Sequence, residues 1–214
     1  MRRGLSFKFS KKKKIQITGV DYQTIQVKRN NPNVIKYVKE INPNYFLNDL
    51  LRKKINSFDI IILQNVLEHV LFPEKLLKDL KKLMRKDDLL FIQVPNDYSL
   101  IQLCAIKQKR IINEFWFTPP QHLNFFNKKN LINFVEKIGF NVSDAMTDFP
   151  VDIFLWGNKK NYINDKKLGK YAHMARLNLD LLFSNSGIKN YINFYRQAYN
   201  INLGRNLCVL LKKK

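Results

Sequence analysis

The stretch from Phe58 to Pro95 constrains the fold more than any other part of the chain. It opens with Phe58 to Leu63, a short apolar run containing Ile60, Ile61 and Ile62, the pattern of a strand covered on both faces. Pro73 then starts a helical pattern, because proline in a first turn gives up no hydrogen bond. Leu76, Leu77, Leu80, Leu83 and Met84 recur at helical spacing, Asp87 and Asp88 break the series, and Leu89 to Val94 reads as a second buried strand. Strand, helix, strand is a right-handed crossover with parallel strands. Ligands of such sheets gather beyond the carboxyl ends of the strands. Those ends carry Gln64, Asn65, Glu68 and His69 after the first strand, and Pro95, Asn96 and Asp97 after the second.

With 214 residues the chain is long enough for one domain with a substantial core. No apolar run approaches the ~18 residues that cross a bilayer. The opening MRRGLSFKFSKKKK has basic flanks without an apolar centre, so no signal peptide is expected. Cys104 and Cys208 sit far apart in apolar patterns and read as reduced core residues, which points to a cytoplasmic protein. The formal charge of +21 raises the question of nucleic acid. Nine of the 38 basic residues are Arg and the other 29 are Lys, spread along the chain, with Asn and Ile also abundant. Phosphate and base recognition favours the planar fork of Arg. The charge is therefore read as AT-rich coding, and a nucleic-acid partner ranks last.

FDIIILQNVLEHV, running on to LLFIQVPN, and the later FWFTPPQHLNFFNKKNLINFVEKIGFNV resemble the class I S-adenosylmethionine-dependent methyltransferases. The similar subgroup has a Leu-Glu-His turn after its fourth strand, here Leu67-Glu68-His69. It also has a His-Leu-x-Phe-Phe segment, here beginning at His122, before a helix that ends in Gly139-Phe140. The resemblance spans roughly Ile15 to Met146, plus the closing GRNLCVLLKK. It implies an α/β, Rossmann-like fold: a mostly parallel sheet with helices on both faces and an antiparallel last strand. It also implies S-adenosyl-L-methionine as cofactor. Gln64 and Asn65 would touch the methionine end. Asp21, closing a strand over Ile15 to Tyr22 with Tyr22 beside it, would take the ribose. Asp49, after a short strand over Tyr45 to Asn48, would lie near the adenine. Asp21 also reads as a strand-ending turn residue, with the ribose role preferred, and Asp49 reads equally as a helix cap.

The chain starts too late to hold the family's first central strand and its Gly-rich turn, so that strand is expected to be missing. Gly4 is the glycine left of that turn, where the backbone approaches the cofactor. The expected organisation is a truncated methyltransferase-like core over 1–146, a helical insertion over 147–205, and the last strand of the same core over 206–214. The insertion reads as an acceptor-pocket wall, a homodimer contact or plain packing. Glu114 to Phe126, with Pro119-Pro120 and several aromatics, reads as an irregular lid or as a loop tucked onto the core.

Glu68, His69 and His122 are the catalytic candidates, since an imidazole can take a proton from a hydroxyl near neutral pH. The plainer reading of His69 is a helix-entry residue bonded to a loop carbonyl. No metal is expected, because relatives with an acid in this turn are matched here by Asn65, and hard cations want several carboxylate oxygens. The function implied is methylation, at oxygen, of a small-molecule or sugar acceptor. The second reading is a catalytically inactive, truncated methyltransferase-like protein acting as a binding module.

Overall fold

The computed structural model describes residues 16–21, 25–30, 32–53, 58–157 and 161–214. Gly4, Tyr22 and the helix end expected over Gly4 to Lys14 lie outside them. The chain divides into two compact units, Met1–Asn56 and Ser57–Lys214. No helix among the described residues is long and apolar enough to cross a membrane.

The first unit runs β1 (Gly19–Asp21), α1 (Ile25–Asn30), a 3-10 turn (Pro32–Tyr37), β2 (Val38–Glu40) and α2 (Pro43–Arg52). β1 and β2 pair in parallel, with Asp21 opposite Glu40. Two expectations are corrected here. Val34 to Ile41, whose apolar spacing suggests a short amphipathic helix ended by Asn42-Pro43, instead supplies β2, and Tyr45 to Asn48, expected as a strand, lies inside α2. Asn42-Pro43 starts α2 instead of stopping a helix. The Asn42 side chain accepts the Asn44 N–H at 2.9 Å, and Pro43 occupies the first turn, where its lost donor costs nothing. Leu47 and Leu50 then fall on the buried face of α2.

The second unit begins with β3 (Ile60–Gln64), a 3-10 turn (Leu67–His69), α3 (Pro73–Leu83) and β4 (Leu89–Pro95). It continues through α4 (Leu100–Lys107), α5 (Lys128–Ile138), β5 (Phe140–Thr147), α6 (Gly169–Ser184), α7 (Ile188–Asn200) and β6 (Asn206–Lys213). The sheet order is β3-β4-β6-β5. β3 and β4 are parallel, Ile60 opposite Leu89 and Gln64 opposite Gln93, as the crossover pattern requires. β6 lies between β4 and β5, antiparallel to both. This is the Rossmann-like α/β architecture, with parallel pairs and an antiparallel last strand.

Alternation sets the core. Leu90, Ile92 and Val94 of β4 and Val209 and Leu211 of β6 are buried, as are Leu77 of α3 and Leu131 and Val135 of α5. β3 departs from the expected double cover: Ile60 and Ile62 are 55% and 52% exposed. Among the described residues β3 is an edge strand of this sheet, and a β-branched run specifies a strand without specifying what covers its outer face.

The segments that carry the site are anchored by local chemistry. Ser99 and Gln102 form a reciprocal capping box that starts α4, which ends at Lys107. Asn127 and Asn130 form another at the start of α5, and Gly139 ends that helix at φ 94°, a left-handed conformation that suits glycine. Asn127→Ala should lower stability by about 1 kcal/mol. Urea denaturation checks this, and an unchanged midpoint would show that the box contributes nothing to the fold.

Candidate active site

β3 delivers its polar residues to one end of the sheet. Asn65 keeps the ladder going for one more rung, its N–H donating to Gln93 O at 2.9 Å, and then turns the chain at φ 52°, which Asn tolerates better than most residues. Asn65 Oδ1 is buried and has no hydrogen-bond partner. Such an atom is the kind of acceptor that a ligand's N–H or O–H satisfies. The ammonium at the methionine end of S-adenosylmethionine fits it.

The turn after Asn65 buries Leu67 in the core and holds Glu68 at 1% exposure. Glu68 O accepts the N–H groups of Leu123 and Asn124 at 2.8 and 3.1 Å. Asn124 Nδ2 in turn donates to Leu67 O at 3.1 Å and Val70 O at 2.7 Å. These four bonds stitch the aromatic loop onto the Leu-Glu-His turn and place His122 beside His69, ring centroids 4.9 Å apart at 67°. His69 Nδ1 donates to Gln121 O at 2.6 Å, the loop-carbonyl bond of the plainer reading. That bond also fixes the tautomer, leaving Nε2 directed at Glu68 Oε1, 3.6 Å away. One ligand atom each from Glu68, His69 and His122 falls within 4.8 Å of the others, so these three residues can also hold a cation.

β4 delivers a second acid. The Asp97 N–H donates to Phe126 O at 2.7 Å, and the side chain is 1% exposed. Burial pushes its carboxyl up to about 7, opposed by Arg205 and reinforced by Glu68. Arg205 itself pairs with the buried Asp152 at 3.3 Å and lies over the Phe115 ring at 4.8 Å. Asp152 also accepts from Gln102 Nε2 at 3.4 Å and from the Tyr162 hydroxyl. Sequence reasoning placed Asp97 at a strand end without giving it a role, and missed Arg205 and Asp152. The strand-end position was the available signal for Asp97; nothing local in the sequence marks the other two.

The aromatic loop is tucked by some of its rings and open at others. Trp116 and Phe126 are buried, whereas Phe117 is exposed and stacks on Phe125 at 4.9 Å. Gln64 closes β3, exposed at the strand end. In the other unit, Asp21 ends β1 with an exposed side chain, its carbonyl accepting from Ile41 N–H at 3.1 Å. Asp49 lies within α2 and pairs with Arg52 at 2.8 Å and Lys53 at 2.7 Å, and these partners hold its carboxyl below the ordinary range. A surface cleft of about 320 Å³ lined by Asp59, Arg85, Asp87 and Asp88 lies at the opposite, amino-terminal ends of β3 and β4. Within it Arg85 bonds both Asp59 and Asp88 at 2.9 Å.

Residues 4–145 match a family model described as a methyltransferase domain. No curated protein sequence matches the chain. Among solved structures it is similar to a SAM-dependent methyltransferase from Archaeoglobus fulgidus, at 17% identity and a TM-score of 0.53, covering 92% of this chain and 75% of that one. It is also similar to the [4+2]-cyclase SpnF, at 12% identity and a TM-score of 0.50, covering 93% and 67%. At these identities the structural likeness speaks for the fold, and the match over most of the sequence speaks for the class. The chain therefore belongs to the methyltransferase domain family, whose methyl donor is S-adenosylmethionine.

Proposed function

We propose that the chain methylates a hydroxyl group of a small-molecule or sugar acceptor. The observation that supports this most is the cluster of Glu68, His69 and His122 beside Asn65, at the carboxyl end of β3. Bound S-adenosylmethionine supplies a methyl group already activated by its positively charged sulfur. The residues of this chain orient, shield and deprotonate. Asn65 Oδ1 and Gln64 hold the methionine end. The bond from His69 Nδ1 to Gln121 O fixes the ring so that Nε2 receives the hydroxyl proton as the oxygen gains its new bond to carbon. The imidazolium formed has Glu68 Oε1 3.6 Å away as counter-charge, and the His122 ring holds it edge-on. The test is transfer of label from methyl-tritiated cofactor to acceptors in a cell extract, with cofactor affinity read in parallel by calorimetry. Failure to bind cofactor would favour the inactive binding-module reading.

A metal-assisted variant is favoured by one observation, the His-His-carboxylate set within 4.8 Å. Dialysis against EDTA separates the two. General-base catalysis by His69 predicts full transfer after chelation. Loss of transfer that a divalent cation restores would assign the three residues to a metal instead.

A further inference from the structure

Asp97 is a buried ionisable group at the strand ends that the methyl-transfer reading leaves idle. It stands where the end of β4 meets the aromatic loop, tied by its N–H to Phe126 O at 2.7 Å. Its side chain is 1% exposed, and Oδ2 has no hydrogen-bond partner. Arg205 lies near enough to act on its charge but directs NH1 to Asp152 and its face to Phe115. Glu68, the other buried acid of the site, repels it. A further buried atom of this strand end without a partner, Asn96 Oδ1, is also an acceptor. Lone pairs on buried oxygens, one of them on an acid that a second acid repels, call for a ligand rich in protons and carrying positive charge.

We propose that Asp97 anchors an ammonium group of the methyl acceptor, which makes the acceptor an amine-bearing hydroxyl compound. The inference rests on the methyl-transfer reading: the acceptor's hydroxyl goes to His69 and its ammonium to Asp97. A neutral acceptor of the same shape leaves Oδ2 unsatisfied and is rejected for that reason.

Matched probes test it on the full chain saturated with S-adenosylhomocysteine: tyramine against 4-ethylphenol, and glucosamine against glucose. Dissociation constants are read by ligand-observed NMR, without turnover. The amine of at least one pair should bind on the order of tenfold or more tightly than its neutral partner. Asp97→Asn should erase that preference, and Asp97→Ser serves if the amide variant does not fold. Equal binding within both pairs, failure of both amines to bind, or a preference that survives the substitution would each overturn the proposal. If cofactor affinity is normal in a protein blind to amines, this inference alone fails. If cofactor does not bind at all, the methyl-transfer reading fails with it.

Discussion

Replacing His69 with alanine lowers the rate of methyl transfer by about 10²–10⁴-fold and leaves cofactor affinity unchanged. The magnitude is that of a positioned general base acting on a hydroxyl. The expectation rests on how the ring is held. The bond to Gln121 O consumes Nδ1, so the proton-accepting nitrogen is Nε2, and no rotation of the ring offers the same geometry. His122 stands at 4.9 Å but stems from a different segment, and its ring is turned 67° from that of His69. Single-turnover transfer with calorimetry distinguishes the two. A full loss in His122→Ala with little change in His69→Ala would reverse their roles. Comparable losses in cofactor binding and rate would place both histidines in cofactor binding instead.

Asp97→Asn stabilises the protein at pH 8 by about 2 kcal/mol and leaves its stability at pH 4 unchanged. The folded state raises the Asp97 carboxyl to about 7, chiefly through burial, from an ordinary value of 3.8. Between those two values the folded chain holds a proton that the unfolded chain has released. Stability from this group is therefore full below about pH 4, falls as pH rises toward 7, and is flat above it. The amide has no such decline. For a chain of this length the gain corresponds to a Tm rise of about 4–8 °C at pH 8. Thermal melts of both proteins from pH 4 to 9 measure the difference, which cancels the ion pairs they share. Parallel curves would show that Asp97 is ionised in the fold without penalty. Together with the acceptor proposal, the prediction describes one trade: the carboxylate that weakens the empty protein is the one that grips the ligand.

The parts of the fold written in local chemistry were legible in the sequence. α3, α5 and β4 follow from proline, the Asn127 cap, Gly139 and apolar spacing, and the observed ends lie close to those read. The parallel pairing of β3 with β4 followed from the length of helix between them. What failed needed information from elsewhere in the chain. β2 is a strand because β1 lies beside it, and its three residues, Val38 to Glu40, carry no pattern of their own. Ile60 and Ile62 are as apolar as a covered strand and are nevertheless half open. The Glu68-His69 turn was readable at once from its place after an apolar strand. Its closure by Leu123 and Asn124, more than fifty residues later, was not, and the Asp152–Arg205 pair joins residues that no spacing rule connects.

The position of β6 between β4 and β5 has a consequence for how this unit comes together. β4 ends at Pro95 and β5 at Thr147, yet the strand that joins them does not begin until Asn206. On a growing chain, both therefore leave the ribosome with their shared neighbour still unsynthesised. For that interval their inner edges expose unpaired N–H and C=O groups, which can template mispairing with other chains. Helices α6 and α7, made in between, are the segment that must be complete before those edges can be sealed.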